Sequence, residues 1–256
     1  MNVVVIGAQW GDEGKGKIVD YLAENAAHVV RYAGGPNAGH TIVVDGKQFA
    51  LHQVPSGILY PNETVYLGAG MVIDPEALFA ELQMLKDNGV NWENRVFISD
   101  RAHLILPRYR QMDKDRDAAR KRPIGTTGRG IGITYSEKAM RDSLRLADLD
   151  WDEKLADFDG EDIAYINRYK DQLLKMRVDL TAEMYKHQEE NILFEGAQGN
   201  VQDSRRLFIF VDYDYPGTNQ RFAGASGDAQ DLPCDRQEAG GSEGERTAEP
   251  GPGFLE

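Results

Sequence analysis

An apolar run, Val3-Val4-Val5-Ile6, leads into a glycine loop carrying two lysines, Gly11-Asp12-Glu13-Gly14-Lys15-Gly16-Lys17. Ile18 and Leu22, and Val19, Ala23 and Ala26, then recur at helical spacing. Strand, glycine loop and helix start in succession dictate a phosphate cradle. Glycines turn backbone N–H groups inward, the helix N-terminus adds partial positive charge, and lysines supply point charges. Gly11–Lys17 fits the G-x-x-x-x-G-K template, but Ile18 stands where a Ser or Thr hydroxyl would bind magnesium. Asp12 is then the natural oxygen donor to the metal. A carboxylate inside an anion cradle otherwise repels what the cradle holds, so Asp12 is expected to bind the metal, take a proton, or both.

The 256 residues suffice for one large α/β domain or two small ones. A net charge of −13 argues against nucleic acid as a partner, so phosphate binding must be a local pocket in an acidic background. The one cysteine, Cys234, excludes an intrachain disulfide framework. No apolar run reaches the roughly 18–20 residues of a membrane span, and the N-terminus opens in a strand without a basic region or cleavage site. A cytoplasmic protein with no membrane partner is expected.

Strands are expected at 2–6, 28–33, 65–67, 95–98 and 191–194, with helices at 15–25, from Asp74-Pro75 to Asn88-Gly89, and over 110–122. One or two longer helices are expected within 161–190. Asp45-Gly46 between Thr41–Val44 and Gln48–His52 signals a hairpin. The alternation predicts an α/β fold: a largely parallel central sheet with flanking helices, P-loop-NTPase-like, plus small antiparallel hairpins, with ligands at the strand carboxyl ends.

Three further segments carry chemistry. Asn37-Ala38-Gly39-His40-Thr41 puts a histidine amid small residues, where it could approach a ligand or serve as an ordinary loop histidine. Ile124–Gly132 is rich in glycine, with hydroxyls and an arginine suited to a second phosphate, or is only a flexible surface loop. Glu195–Gly199 offers an amide able to read a base edge, or is only a strand-to-helix turn.

Taken together, Gly7–Lys17, Gly34–Thr41, Val54–Leu59, Gly125–Gly132 and Phe194–Gly199 closely resemble the adenylosuccinate synthetase family in order and spacing up to about residue 200. Ile133 stands where that family usually has proline. The resemblance implies a GTP-dependent ligase joining IMP and L-aspartate through 6-phosphoryl-IMP, with one Mg²⁺ per subunit and GTP as co-substrate. It implies Asp12 and His40 as catalytic residues. Gly11, Asp12, Glu13, Gly14, Lys15, Gly16, Lys17, Gly39, His40 and Thr41 would hold the GTP phosphates, and Asp12 and the Gly39 carbonyl the metal. Asp12, Glu13, Gly14, Lys15, Asn37, Ala38, Gly39, His40, Thr127 and Gln198 would surround IMP. Arg141 would reach the IMP phosphate across a homodimer interface, whereas its residues alone suggest a surface arginine.

After Gly199 the family's Leu-Asp segment, its Val-Thr-Ser-Ser-type run, its arginine loop for aspartate and its Lys-x-Asp guanine segment have no counterpart. Reading Ile209–Tyr215 one base out of frame permits a Ser/Thr run of the missing kind. A frameshift or gene-model artefact near residue 200 is therefore expected. Residues 1–200 are read as the N-terminal part of a synthetase domain. Residues 201–256 are read as a non-family tail, largely disordered from about 217, where Leu232, Phe254 and Leu255 are the only large apolar residues beyond 223. The chain as written is expected to be impaired. A non-catalytic nucleotide-binding fragment and another P-loop-like nucleotide enzyme stay open.

Overall fold

The computed structural model describes residues 2–8, 14–37, 39–44, 46–123 and 125–199, without the side chains of His40 and Gln198. Within them the chain runs β1 (Val3–Gly7), α1 (Lys15–Ala23), β2 (His28–Gly34), β3 (His40–Val44), β4 (Lys47–Leu51), β5 (Thr64–Ile73) and α2 (Pro75–Asp87). It continues through β6 (Val96–Ser99), β7 (His103–Leu104), α3 (Pro107–Ala118), α4 (Ile131–Met140) and α5 (Asp152–Leu155). The last elements are α6 (Gly160–Asn167), α7 (Lys170–Met176), β8 (Arg177–Val178), α8 (Leu180–Lys186) and β9 (Ile192–Gly199).

The main sheet has the order β1-β9-β2-β5-β6-β8, with β7 pairing the end of β5, and every one of these pairings is parallel. β3 and β4 form a separate antiparallel pair with Ile42 opposite Phe49. The largely parallel sheet, its flanking helices and the hairpin are those expected from the sequence.

Alternation along the strands divides the core. Val29, Val65, Val96 and Leu193 enter the larger core with Val19 of α1 and Leu78, Leu82 and Leu85 of α2. Val30, Tyr66, Ile192 and Phe194 point the other way, onto Leu180 and Met184 of α8. A strand buried on both faces reads as continuous apolar sequence, as β2 and β9 do. On β1, Val3 and Val5 pack on the larger core, whereas Val4 and Ile6 are 36% and 54% exposed.

Local chemistry explains the element ends. Asp74 caps α2 by accepting from the Ala77 N–H at 3.2 Å, Pro75 occupies its first turn, and Gly89 follows Asn88 with positive φ. Two expectations need correction. Residues 161–190 form three short helices rather than one or two long ones. Tyr169 interrupts the first pair, and the two-residue strand β8 joins the sheet before Asp179 caps α8. Glu195–Gly199 is not a strand-to-helix turn; the pairing with β1 carries β9 through to Gly199. Ile18 also turns outward on α1, and Val19 and Ala23 alone of the expected apolar set are fully buried there.

Candidate active site

In a parallel sheet all carboxyl ends lie along one edge, where ligands bind. Here the three adjacent strands β1, β9 and β2 end in Gly7, Gly199 and Gly34. Gly34 has φ of 101°, and a Cβ there would stand 2.5 Å from the Ala197 Cβ. Only glycine lets the turn after β2 lie down on the end of β9.

That turn is fastened from below and from the side. Arg31 is fully buried and donates Nη1 to the His52 carbonyl at 2.6 Å and Nη2 to the Gly35 carbonyl at 3.3 Å. The sheet register sets it beside the equally buried Glu195, whose Oε2 accepts the Ser56 N–H at 3.3 Å. Glu81 accepts the N–H groups of His52, Gln53 and Val54, each at 3.0 Å. Burial raises the Glu81 pKa, and these three bonds and Arg31 oppose the rise. Gly39 lies on the His52 ring, with room for a Cβ only 3.1 Å from its Cε1. The Tyr135 hydroxyl accepts the Gly34 N–H at 3.0 Å and donates to the Gly70 carbonyl at 2.7 Å.

α1 and α4 each begin on a glycine in the left-handed region, Gly14 and Gly130, with no side-chain cap. Asp74, Asp159 and Asp179 cap α2, α6 and α8, and α3, α5 and α7 lack a side-chain cap but start on Leu106, Trp151 and Tyr169, so the left-handed glycine start is what sets α1 and α4 apart. Uncapped first-turn N–H groups are what an anion needs. α4 comes to the turn through Arg129, whose guanidinium donates to the Pro36 carbonyl. That arginine therefore joins the two glycine segments through a backbone carbonyl.

The segment before α4 hangs from two carboxylates one helical turn apart on α3. Asp113 accepts the Thr126 hydroxyl at 2.9 Å and the Gly130 N–H at 3.0 Å. Asp117 accepts the Gly125 and Thr126 N–H groups, both at 3.1 Å. Thr126 is thus committed to the protein, while its neighbour Thr127 is exposed and makes no side-chain hydrogen bond among the described residues.

Of the expected site residues, Gly14 caps α1, Lys15 and buried Gly16 open it, and Lys17 is exposed on it. Asn37 and Gly39 are exposed in the turn, and Thr41 on β3. Arg141 closes α4 with φ of 69°, exposed and in a conformation unusual for a side-chain-bearing residue. Gly11, Asp12, Glu13 and Ala38, and the side chains of His40 and Gln198, lie outside the described residues. Residues 201–256 do too.

Sequence reasoning missed Arg31, Glu81, Asp113, Asp117 and Tyr135. An arginine inside the apolar run Val29–Ala33 was the one available signal, since a charge in a buried strand must have fixed partners. A cleft of about 480 Å³ among Glu24–Ala27, Asn62 and Glu189–Asn191 lies at the opposite edge of the sheet. Its carboxylates and asparagines do not suit a nucleotide phosphate. Among the described residues no helix is long and apolar enough to cross a membrane.

A parallel α/β sheet whose strands end on glycines beside two helices starting on left-handed glycines belongs to the class of α/β folds that place ligands at their strand carboxyl ends. The adenylosuccinate synthetase family model matches residues 4–159. The adenylosuccinate synthetases of Clostridium novyi and Vibrio cholerae are each 45% identical to this chain, over 86% and 79% of it and 57% and 52% of their own lengths. The fully ligated adenylosuccinate synthetase of Plasmodium falciparum superposes with a TM-score of 0.68 at 35% identity, covering 77% of this chain and 51% of that one. A cyanophage S-2L succinoaminodeoxyadenylate synthetase bound to dGMP and dATP matches with a TM-score of 0.57 at 26% identity and the same coverages. The chain belongs to the adenylosuccinate synthetase family. It spans about half the length of the curated relatives it matches.

Proposed function

We propose that this chain carries the IMP and GTP-phosphate site of a GTP-dependent ligase that joins IMP and L-aspartate into adenylosuccinate. The observation that carries the reading is the pair of uncapped helices, α1 and α4, starting on left-handed glycines beside the glycine-ended strands. Gly11–Lys17, Gly39 and Thr41 hold the GTP phosphates; Lys15, Asn37, Thr127 and Gln198 surround IMP.

Asp12 takes the proton from N1 of the hypoxanthine, which leaves O6 electron-rich enough to attack the γ-phosphorus. GDP departs, and O6 carries the phosphoryl group. His40 stabilises the charge developing at O6 as an acid, while Lys15 and Lys17 offset that on the phosphates. The aspartate amine then attacks C6, the amine proton is lost, and phosphate leaves with O6. Positioning and charge neutralisation carry most of the acceleration. A carboxylate at Asp12 and the Gly39 backbone carbonyl form the hard-oxygen donor set that suits Mg²⁺. When bound, that ion neutralises phosphate oxygens.

Arg141 is assigned to a second subunit of a homodimer. α4 separates it from Gly130 by about 15 Å at the rise of an α-helix, more than its own side chain spans. Its left-handed backbone supports a functional placement, because strain of this kind persists where something other than stability retains it.

Calorimetry with IMP, with GTP and with dGMP, each with Mg²⁺, tests the binding half of the reading. An assay for adenylosuccinate from IMP, aspartate and GTP tests the chemistry. Saturable IMP binding lost on Thr127→Ala supports it. Absence of IMP binding overturns it, and preference for dGMP over IMP transfers the site to the substrate class of the cyanophage relative.

A further inference from the structure

At the amino end of the same sheet, away from the glycine-ended strands, two histidines share one carboxylate. His28, the first residue of β2, is 6% exposed and places Nε2 3.2 Å from Glu190 Oε2. His187, at the end of α8, places Nδ1 2.7 Å from Glu190 Oε1. The rings lie 4.2 Å apart between centroids, tilted by 48°. One ligand atom from each of the three residues falls within 4.8 Å of the others. The geometry points to a divalent transition-metal site formed by His28, His187 and Glu190, separate from the nucleotide site.

Three observations favour a metal over a solvated polar cluster. Two imidazoles stacked this closely repel when both are protonated, whereas neutral imidazoles gather around a shared cation without that cost. His28 Nε2 faces the same carboxylate as His187 Nδ1, so both imidazoles turn one nitrogen toward a shared point. His187 turns its other nitrogen, Nε2, to the side of Glu183, whose Oε2 lies 3.9 Å away, beyond hydrogen-bond reach but close enough for a side-chain rotation to make it the outer carboxylate of a ligating imidazole. An ion about 2.0–2.2 Å from each ligand sets tetrahedral ligand atoms roughly 3.4 Å apart, so Glu190 must back away from His187 Nδ1 while the two imidazole nitrogens draw together. Glu190 and His187, both partly exposed, can supply that movement by side-chain rotation. Two nitrogens and one carboxylate oxygen select Zn²⁺, Co²⁺ or Ni²⁺ over Mg²⁺. The ion would tie the start of β2 to the end of α8 and the lead into β9. That lead-in already holds β2 through the bond from the Ala27 N–H to the Asn191 carbonyl at 2.9 Å.

The test is titration of the metal-free full chain with Co²⁺, read by visible d–d absorption, with Zn²⁺ as competitor and thermal unfolding as second readout. The expected result is saturable Co²⁺ binding at one ion per chain, displaced by Zn²⁺ and unaffected by Mg²⁺, with a raised Tm. His187→Gln and Glu190→Gln, both at partly exposed positions, should abolish the bands, and Glu183→Gln should weaken binding roughly tenfold. Replacing buried His28 is avoided because a folding defect would mimic loss of the ligand. No d–d bands at saturating Co²⁺, or bands that survive both His187→Gln and Glu190→Gln, would overturn the site. Bands lost on His40→Gln instead would assign the ion to the segment after β2 and overturn it equally.

Discussion

The two ends of the parallel sheet are built on opposite terms. At the carboxyl end, β1, β9 and β2 stop at glycines, and two helices start on left-handed glycines without a side-chain cap. Each of these features forgoes stability. At the amino end the strands begin among buried or half-buried titratable groups: His28 before β2's core residues and Glu63 just ahead of β5. Glu63 is 4% exposed, its Oε2 has no partner among the described residues, and it packs on Gly57. One end gives up stability to leave backbone groups for a ligand. The other stores its cost in groups that respond to protons or metals.

If that division holds, the largest effect belongs to the carboxyl end and falls on rate. In a chain extended to the full length of its relatives, Asp12→Asn should lower adenylosuccinate formation about 10²–10⁴-fold, the range for losing a positioned general base. IMP binding by calorimetry should persist, because Lys15 and the loop amides remain. Near-normal turnover by the variant would remove Asp12 from the mechanism.

Glu63 tests the amino end next. Burial is the main cause that raises its pKa from 4.5 to about 8; Arg95 opposes the rise and Asp20 adds to it. The folded state therefore holds the proton more tightly than the unfolded chain. The stability this supplies is complete below pH 4.5 and is lost as pH rises through about 8. Within that window stability should fall by up to about 1.4 kcal/mol per pH unit. Glu63→Gln keeps shape and neutrality, so urea unfolding should show a flatter pH profile and greater stability at pH 8, with IMP binding unchanged. An unaltered profile would show that Glu63 ionises normally.

Much of this division was legible in the sequence at one end only. Glycines between apolar strands announce backbone approach, which is why Gly11–Lys17, Gly34–Gly39 and Gly125–Gly132 stood out. The residues that brace those segments carry no local pattern. Asp113 and Asp117 read as one more pair of charges on a polar helix, and Glu81 as an acidic residue on α2. Their roles depend on which loop the fold lays across them. The same holds for His28, His187 and Glu190, where 159 residues separate the two histidines in sequence. Periodicity also overran at 161–190, because short helices broken at Tyr169 and β8 keep nearly the same apolar spacing as one long helix.

Gly34→Ala probes whether the carboxyl-end glycines are required by packing. The positive φ alone costs about 1–3 kcal/mol for a residue with a Cβ, and the approach to Ala197 at 2.5 Å adds to it. Urea unfolding should register at least that loss, and IMP affinity should drop with it, since the turn bearing Asn37 and Gly39 must lift off β9. Unchanged stability would mean that the close approach is not a property of the folded protein.

Arg141→Gly carries the smallest and sharpest expectation. Glycine suits the left-handed position that ends α4, and removing the side chain's steric conflict should raise stability by about 1 kcal/mol. A surface arginine with no other task would make this substitution a pure gain. If Arg141 instead reaches the IMP phosphate of a neighbouring subunit, the same variant should be more stable to urea yet weaker for IMP, with the loss confined to dimeric protein. Subunit mixing in chains extended to the full length of the relatives separates the alternatives: Arg141→Gly and Asp12→Ala chains, each inactive alone, should regain adenylosuccinate formation together, because one of the two sites in a mixed dimer is then whole. A stability gain with full IMP affinity and no complementation would return Arg141 to the solvent, and would show that a left-handed backbone in this fold is not always kept for a ligand.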